Sequence, residues 1–257
     1  MRDYRVELDY SLHYAHWHPD TPEHVSQMRS YFAQLLRPLV KRTDGIALDI
    51  GCAFGYSMLA LKDLGFGVVE GVENSPQQAA RARKLGLSVD LAADTSAWLR
   101  QRQRRYSTIL LMDVLEHLPR ENQIPLLAAI NDSLTPGGCV VIQTPNANSP
   151  LATRYRYIDF THYTIFTEHS LRFCLANAGF DSIEIVAEKG LGRPSLRFWR
   201  KTFARDLRRY LVRWCWYQVY KSELWFDDIS QISFDLNLVA VAVKSQKGPK
   251  TGPTRQN

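Results

Sequence analysis

From about residue 44 onward the chain alternates short apolar runs with amphipathic stretches. "GIALDI", "GVVEGVE", "LSVDLAAD", "YSTILLMD", "CVVIQTP" and "DSIEIVAEK" read as buried strands. Between them "YSMLALKDLG", "SPQQAARARKLG", "TSAWLRQRQRR", "RENQIPLLAAINDSLTPGG" and "TEHSLRFCLANAGF" read as helices. Gly65 ends the first of these helices, Ser75 caps the second with Pro76 just inside it, and a Pro-Gly-Gly turn ends the fourth. "SFDLNLVAVAVK" is the last predicted strand. Ahead of the alternation, "TPEHVSQMRSYFAQLLRPLV" is a helix capped by Thr21 or Asp20, with Pro22 in its first turn and an apolar stripe of Val25, Met28, Phe32, Leu35 and Leu36. Strands alternating with helices predict an α/β, doubly wound sheet whose ligands bind at the carboxyl ends of the strands.

This pattern divides the chain into a helical lid over 1–44, a core over 45–187, a helical insertion over 188–232, a last core strand over 233–244 and a disordered polar tail over 245–257. With 45% hydrophobic residues the chain has enough material for a full core. No apolar run approaches the roughly 18 residues of a membrane span. The start, "MRDYRVELDYSLHY", has no apolar stretch of signal-peptide length, so a cytoplasmic location is expected. Cys52, Cys139, Cys174 and Cys215 lack metal-ligand spacing and read as reduced thiols. His13, His16 and His18 near the start have no acid or Cys at matching spacing. No metal is expected there, and Tyr14, His16 and Trp17 read as part of the lid.

The chemistry begins at "ALDIGCAFGY". Asp49 closes the first strand, and Gly51 and Gly55, with small Cys52 and Ala53 between them, let the backbone approach a ligand. A carboxylate at that point repels phosphate and suits a cation or a hydroxyl. The next strand ends in Glu73, where an acid can accept from ribose hydroxyls. Together these signs describe a positively charged nucleoside without phosphate, and S-adenosylmethionine fits.

"LDIGCAFG", "GVENS", "AAD" and "LLMDVLEHL", in that order at strand ends, resemble the class I S-adenosylmethionine-dependent methyltransferases. The family pattern DxGxGxG departs at one point, with Ala53 in place of the middle glycine. The resemblance covers about residues 44–187 and the last strand. It implies a Rossmann-like seven-stranded sheet with an antiparallel last strand. It places Gly51 and its turn under the methionine moiety, Glu73 on the ribose, Asp94 by the adenine and Met112 along the cofactor, with Asn74 a further cofactor-binding residue. Asp94 also reads as a helix cap, and Met112 as core.

"MDVLEHLP" resembles the corresponding stretch of ubiquinone-biosynthesis O-methyltransferases, and the "DFTHYTIFT" stretch that of methyltransferases from cell-surface polysaccharide and lipid pathways. The candidate catalytic residues are His117, and His162 oriented by Asp159, as a base on a hydroxyl. Each also reads as structural: Glu116 with His117 as a tie to the sheet, Asp159 with His162 as a capping network. The implied acceptor is a hydroxyl of a sugar, a glycolipid or a lipid-like small molecule. A tRNA or rRNA methyltransferase, and a cofactor-binding regulatory or scaffold protein without catalysis, are the competing readings.

The formal charge of +6 is local. Residues 193–221 hold nine Lys or Arg and one acid, a net +8, which leaves the rest near −2. Trp199, Phe203, Leu207, Tyr210, Trp214 and Tyr217 share one side of a helix there. Arg200, Lys201, Arg205, Arg208, Arg209 and Arg213 take the other, with Trp216 among them. Three roles compete: packing on the domain or on a second copy as a homodimer, an interfacial helix on an anionic membrane at the inner face, and a nucleic-acid footprint. No recognised RNA-binding module accompanies the last.

Overall fold

The computed structural model describes residues 16–19, 21–187, 203–224, 229 and 232–246. Seven strands form one sheet: β1 Ile46–Ile50, β2 Val68–Glu73, β3 Ser88–Leu91, β4 Tyr106–Met112, β5 Leu134–Pro145, β6 Ser182–Ala187 and β7 Asn237–Val243. Their order is β3-β2-β1-β4-β5-β7-β6. The pairs among β1 to β5 are parallel, and β7 lies antiparallel between β5 and β6. The expected doubly wound sheet with an antiparallel last strand is therefore present.

The helices are α1 Pro22–Leu36, α2 Tyr56–Asp63, α3 Pro76–Lys84, α4 Thr95–Arg100, α5 Arg120–Ser133, α6 Ala152–Ile158, α7 Glu168–Asn177 and α8 Phe203–Glu223. Thr21 caps α1 by accepting from His24 N at 3.2 Å. Ser75 caps α3, and Thr167 and Ser170 make a reciprocal capping box on α7. At the start of α2 the N-cap is Gly55, with φ 81 and no side-chain cap.

Both faces of the sheet are apolar, because both are covered. Leu48, Ile50, Ile109, Leu111, Val140 and Ile142 face one core, which Leu99 of α4, Leu127 and Ile130 of α5 and Leu171 and Leu175 of α7 complete. Ala47, Leu110 and Val141 face the other, with Leu36 of α1, Met58 and Leu61 of α2 and Ala79 and Ala82 of α3. By the two-residue period of a strand, Asp49, Met112 and Gln143 fall on this second face, at the carboxyl ends of three adjacent strands.

Three expectations need correction. The fourth core helix ends at Ser133, not at the Pro-Gly-Gly turn, and Leu134–Pro145 is a single strand. Pairing on β4 jumps from Tyr106↔Leu134 to Thr108↔Cys139, so Pro136, Gly137 and Gly138 bulge out of β5. A Cβ on Gly138 would lie 2.9 and 3.0 Å from the carbonyl oxygens of Thr135 and Ser107, which only glycine avoids. The helix read over "TSAWLRQRQRR" stops at Arg100. Beyond it, Arg102 and Arg105 pair with Asp90 and Glu70.

The third correction concerns the basic helix. Trp216, expected among the arginines, turns inward, its Nε1 donating to Asn148 O at 2.9 Å. Tyr217 and Tyr220 stack edge-on against Phe234. Arg213, expected on the solvated side, pairs with Asp235. Trp214, expected on the packed stripe, is 48% exposed. Phe203, Leu207, Tyr210 and Tyr217 of the expected stripe stay half-buried, and Trp216 and Arg213 join them, because the loop after β5 offers a carbonyl and the segment before β7 an acid. Trp199, Arg200 and Lys201 lie outside the described residues, as do His13, Tyr14 and positions 247–257 of the tail.

Candidate functional site

At the carboxyl end of β1 the chain turns sharply into α2. Gly51 N and Cys52 N both donate to Val72 O, at 2.8 and 3.3 Å, and Gly55 N donates to Cys52 O at 2.7 Å. Gly51, Ala53 and Gly55 all have positive φ, at 66, 46 and 81. Ala53 therefore occupies, as a non-glycine, a conformation that costs an L-residue roughly 1–2 kcal/mol. At Gly51 a Cβ would meet Val114 Cγ2 at 2.5 Å, so the turn is seated against the loop that follows β4.

Glu73 organises this turn. Its Oε2 accepts from Ala53 N at 2.9 Å, and its Oε1 from Asn74 N at 2.8 Å and Ser75 N at 2.9 Å. The carboxylate thus holds the first turn and the start of α3 together. Its oxygens have acceptor capacity left for hydroxyls. Asp49, directly below, is buried and accepts from Ser57 Oγ of α2. Burial raises its pKa to about 7, opposed by the Ser57 hydrogen bond and reinforced by the Glu73 charge. The Cys52 thiol is pushed far above its ordinary range, first by burial and then by Asp49 and Glu73. Cys52 is therefore a small packing residue and no nucleophile.

The other expected cofactor residues are spread around this turn. Asn74 is exposed beside Glu73, and Met112 is buried at the end of β4. Asp94 caps α4, accepting from Ala97 N at 2.8 Å, and remains exposed. The donor set suits S-adenosylmethionine: two acids face an open glycine turn and no phosphate-type cradle, which is what a cationic nucleoside with free hydroxyls requires. A cleft of about 740 Å³ lies at the opposite, amino-terminal ends of the strands. Its Arg102 and Arg105 are already paired with acids, and it is not the site.

Beyond Met112 the strand gives way to Asp113, at φ 54, and a 3₁₀ turn over Leu115–His117. Gln143 Nε2 donates to Asp113 Oδ2 at 2.7 Å. Tyr31 of α1 reaches Gln143 Oε1 at 3.4 Å, which brings the N-terminal helix to the rim of the site. Glu116 is fully buried, its Oε2 accepting from Thr144 Oγ1 at 3.1 Å. Burial, then the charges of Asp113 and Asp159, raise its carboxyl well above the usual range. The loop carrying His162 is laced to this turn, with Tyr163 N donating to Glu116 O at 2.8 Å.

His117 and His162, distant in sequence, meet edge to face with centroids 4.6 Å apart. His162 Nδ1 lies 2.7 Å from Tyr155 O, an acceptor, so that nitrogen carries the proton. Thr161 Oγ1 donates to Asp159 Oδ1 at 2.7 Å and therefore accepts from His117 Nδ1, also at 2.7 Å. In the neutral form of each ring the lone pair is then on Nε2. Asp159 was expected to orient His162; through Thr161 it orients His117. Thr161, Tyr155 and Thr144 were missed as supports, although Thr161 lies between Asp159 and His162 in the quoted "DFTHYT".

A family model described as "Methyltransferase domain" matches residues 24–185, more than half of the chain. A ubiquinone biosynthesis O-methyltransferase of Cereibacter sphaeroides is 33% identical over 104 residues, 39% of this chain and 41% of that protein. The chain therefore matches about two fifths of the length of these curated relatives. Among solved structures, a SAM-dependent methyltransferase from Archaeoglobus fulgidus superposes with a TM-score of 0.65 at 19% identity, covering 92% of this chain and all of that one. A phosphoethanolamine N-methyltransferase from Haemonchus contortus, solved with S-adenosyl-L-methionine, has a TM-score of 0.56 at 19% identity, over 84% of this chain and 53% of its own. These two likenesses concern the fold. The match of the family model, over the strand ends that build the site, decides the identity: this chain belongs to the methyltransferase-domain family, as a class I enzyme whose cofactor is S-adenosylmethionine.

Proposed function

We propose that the enzyme methylates a hydroxyl group of a sugar, a glycolipid or a lipid-like small molecule. The observation that carries this reading is the His117–His162 pair, with both Nδ1 positions anchored and both lone pairs on Nε2, beyond the end of β4. The resemblance to ubiquinone biosynthesis O-methyltransferases supports a hydroxyl acceptor.

Asp49, the Gly51–Gly55 turn with Cys52 and Ala53, Glu73, Asn74, Asp94 and Met112 hold the cofactor. Bound there, S-adenosylmethionine supplies an electrophilic methyl group on a cationic sulfur. The chain's own residues then align and deprotonate. The turn fixes the position of the methionine end, and Glu73 that of the ribose. His162 or His117 takes the acceptor's hydroxyl proton at Nε2, and its anchored Nδ1–H stabilises the imidazolium that forms. Helix α1, with Tyr31 against Gln143, serves as the lid.

A hydroxyl acceptor carried on lipid explains the outer face of α8. Leu211, Val212, Trp214 and Val219 are each about half exposed, beside exposed Arg205, Arg208 and Arg209. Apolar side chains flanked by arginines suit an anionic bilayer surface, and we place the enzyme in the cytoplasm, peripheral to that surface. No described helix is long and apolar enough to cross a membrane.

The test is turnover on hydroxyl-bearing sugars and lipids. Replacing the true base by Gln should lower turnover by about 10²–10⁴-fold. The affinity for S-adenosylhomocysteine should stay unchanged. If His117→Gln and His162→Gln both remain fully active, neither histidine is the base.

A further inference from the structure

The cleft at the amino-terminal ends of the strands lies apart from the cofactor turn, and its 740 Å³ falls within the roughly 300–1,000 Å³ of ligand pockets. Glu70 of β2 pairs in register with Leu48 and with Ser88, so Glu70, Ser88 and Asp90 share the face on which Leu48 meets the core. Helix α4 ends at Arg100, and the loop over 101–105 forms the facing wall. The acids are held in place. Glu70 Oε2 accepts from Tyr106 Oη at 2.9 Å and from Arg105 Nε at 3.3 Å. Asp90 Oδ2 accepts from Trp98 Nε1 at 3.0 Å and from Arg102 Nη2 at 3.2 Å, with Arg102 stacked 3.7 Å over the Trp98 ring. Arg104 is different. Its φ is 52, in the left-handed region that glycine or asparagine enters at less cost. Its backbone N–H donates to Asp132 O at 3.0 Å, a bond that does not need an arginine. Its side chain makes no hydrogen bond or ion pair to another described residue, and neither do those of Gln101 and Gln103. The backbone gains nothing from an arginine at this point, so the outlier directs attention to the guanidinium.

We propose that this cleft is a second binding site, for a small polyhydroxylated anion: a sugar carrying one carboxylate or phosphate group. Arg102, Arg104 and Arg105 against Glu70 and Asp90 leave one net positive charge on the lining. Arg104, with the amides of Gln101 and Gln103, donates to the oxyanion. Asp90 Oδ1, which accepts from no described residue, and the exposed Ser88 hydroxyl take the sugar hydroxyls. A nucleic-acid backbone suits the cleft less, since it would bring several phosphates against Glu70 and Asp90. The proposal is independent of the methyl acceptor inferred above.

The test is calorimetric titration of the full chain with three probes that share a sugar ring: glucuronate, glucose 6-phosphate and neutral glucose. At least one of the two anions is expected to bind, about tenfold or more tighter than glucose, since a charge-assisted hydrogen bond has an effect of that order. Which anion binds tells a carboxylate ligand from a phosphate one. Arg104→Gly should weaken that binding about tenfold or more. Glycine accepts the left-handed conformation, so the denaturation midpoint should not fall, and the affinity for S-adenosylhomocysteine should stay unchanged. If Arg104→Gly does not fold, Arg104→Asn, which also tolerates that conformation, replaces it. Failure of both anions to bind, or binding no tighter than that of glucose, overturns the site. Anion binding that survives the loss of Arg104 lies elsewhere, as in the methyl-acceptor cleft, and overturns it as well. None of these outcomes bears on methyl transfer, which is read by turnover.

Discussion

Arg213 of α8 meets Asp235, just ahead of β7, at 2.5 Å, with the two side chains 14% and 2% exposed. This ion pair joins the inserted helix to the sheet. Asp235 is also tied by its carbonyl to Asn146 Nδ2 at 2.9 Å, and so to the loop after β5. Removing one partner strands the other charge away from water. Arg213→Ala should cost about 3–5 kcal/mol, the range for breaking a buried pair. Chemical denaturation of Arg213→Ala, Asp235→Ala and the double variant measures it. The double variant should lose less than the sum of the two single losses, and simple additivity would show that the pair is not coupled.

Glu73 should be more than a ribose acceptor. Three backbone N–H groups depend on its carboxylate. Glu73→Ala leaves them unmatched and removes the hydroxyl acceptor, a loss of order 1–3 kcal/mol for each role. Calorimetry should show S-adenosylhomocysteine binding weakened at least about tenfold, together with a lower denaturation midpoint. Loss of affinity with unchanged stability would mean that the turn does not rely on this carboxylate.

Asp49 makes both stability and cofactor binding depend on pH. Its folded pKa is about 7, against an ordinary value near 3.8. The native state keeps a proton that the unfolded chain releases. Its contribution to stability therefore falls as pH rises from about 4 to about 7, and is flat above that. His18 acts in the opposite direction. Burial, then His24 and Arg81, lower its pKa to about 4, so its contribution rises over about pH 4 to 6.5. The readout is accordingly the difference between the wild type and Asp49→Asn. Asp49→Asn should gain on the wild type with rising pH, by up to about 4 kcal/mol near pH 7. Cationic S-adenosylmethionine favours ionised Asp49, so its affinity should rise through neutral pH in the wild type and not in Asp49→Asn. A parallel rise in both proteins would remove Asp49 from the cofactor's surroundings.

The outer face of α8 should bind anionic vesicles and ignore neutral ones. Trp214→Ser and Leu211→Ser keep every charge, and together they should abolish binding. RNA binding driven by phosphates would survive these changes, as it depends on the arginines. Indifference of the wild type to both anionic vesicles and RNA leaves a second copy of the chain as the remaining cover for this face, to be read by sedimentation.

Much of the enzyme was legible along the chain, because it is local. Strand and helix periods, Ser75 and Thr21 as caps, and the acids and glycines at strand ends all report on neighbours a few residues away. The sheet order and its antiparallel β7 followed only through resemblance, since no local signal states which strand lies beside which. Trp214, Trp216 and Arg213 of α8 were misplaced because apolar and basic positions overlap at the edges of its stripe. Asn148 and Asp235, about 70 and 20 residues away, choose the face that carries Trp216 and Arg213. Likewise "LEHL" and "DFTHYT" are 40 residues apart, and each histidine alone is ambiguous. Tertiary packing decided that His117 and His162 face each other, that Asp159 reaches His117 through Thr161, and that Glu116 is buried between strand ends with one oxygen unmatched. A sequence specifies which groups are present. Only the folded chain sets their distances and their exclusion from water, and these determine what a carboxylate or an imidazole can do.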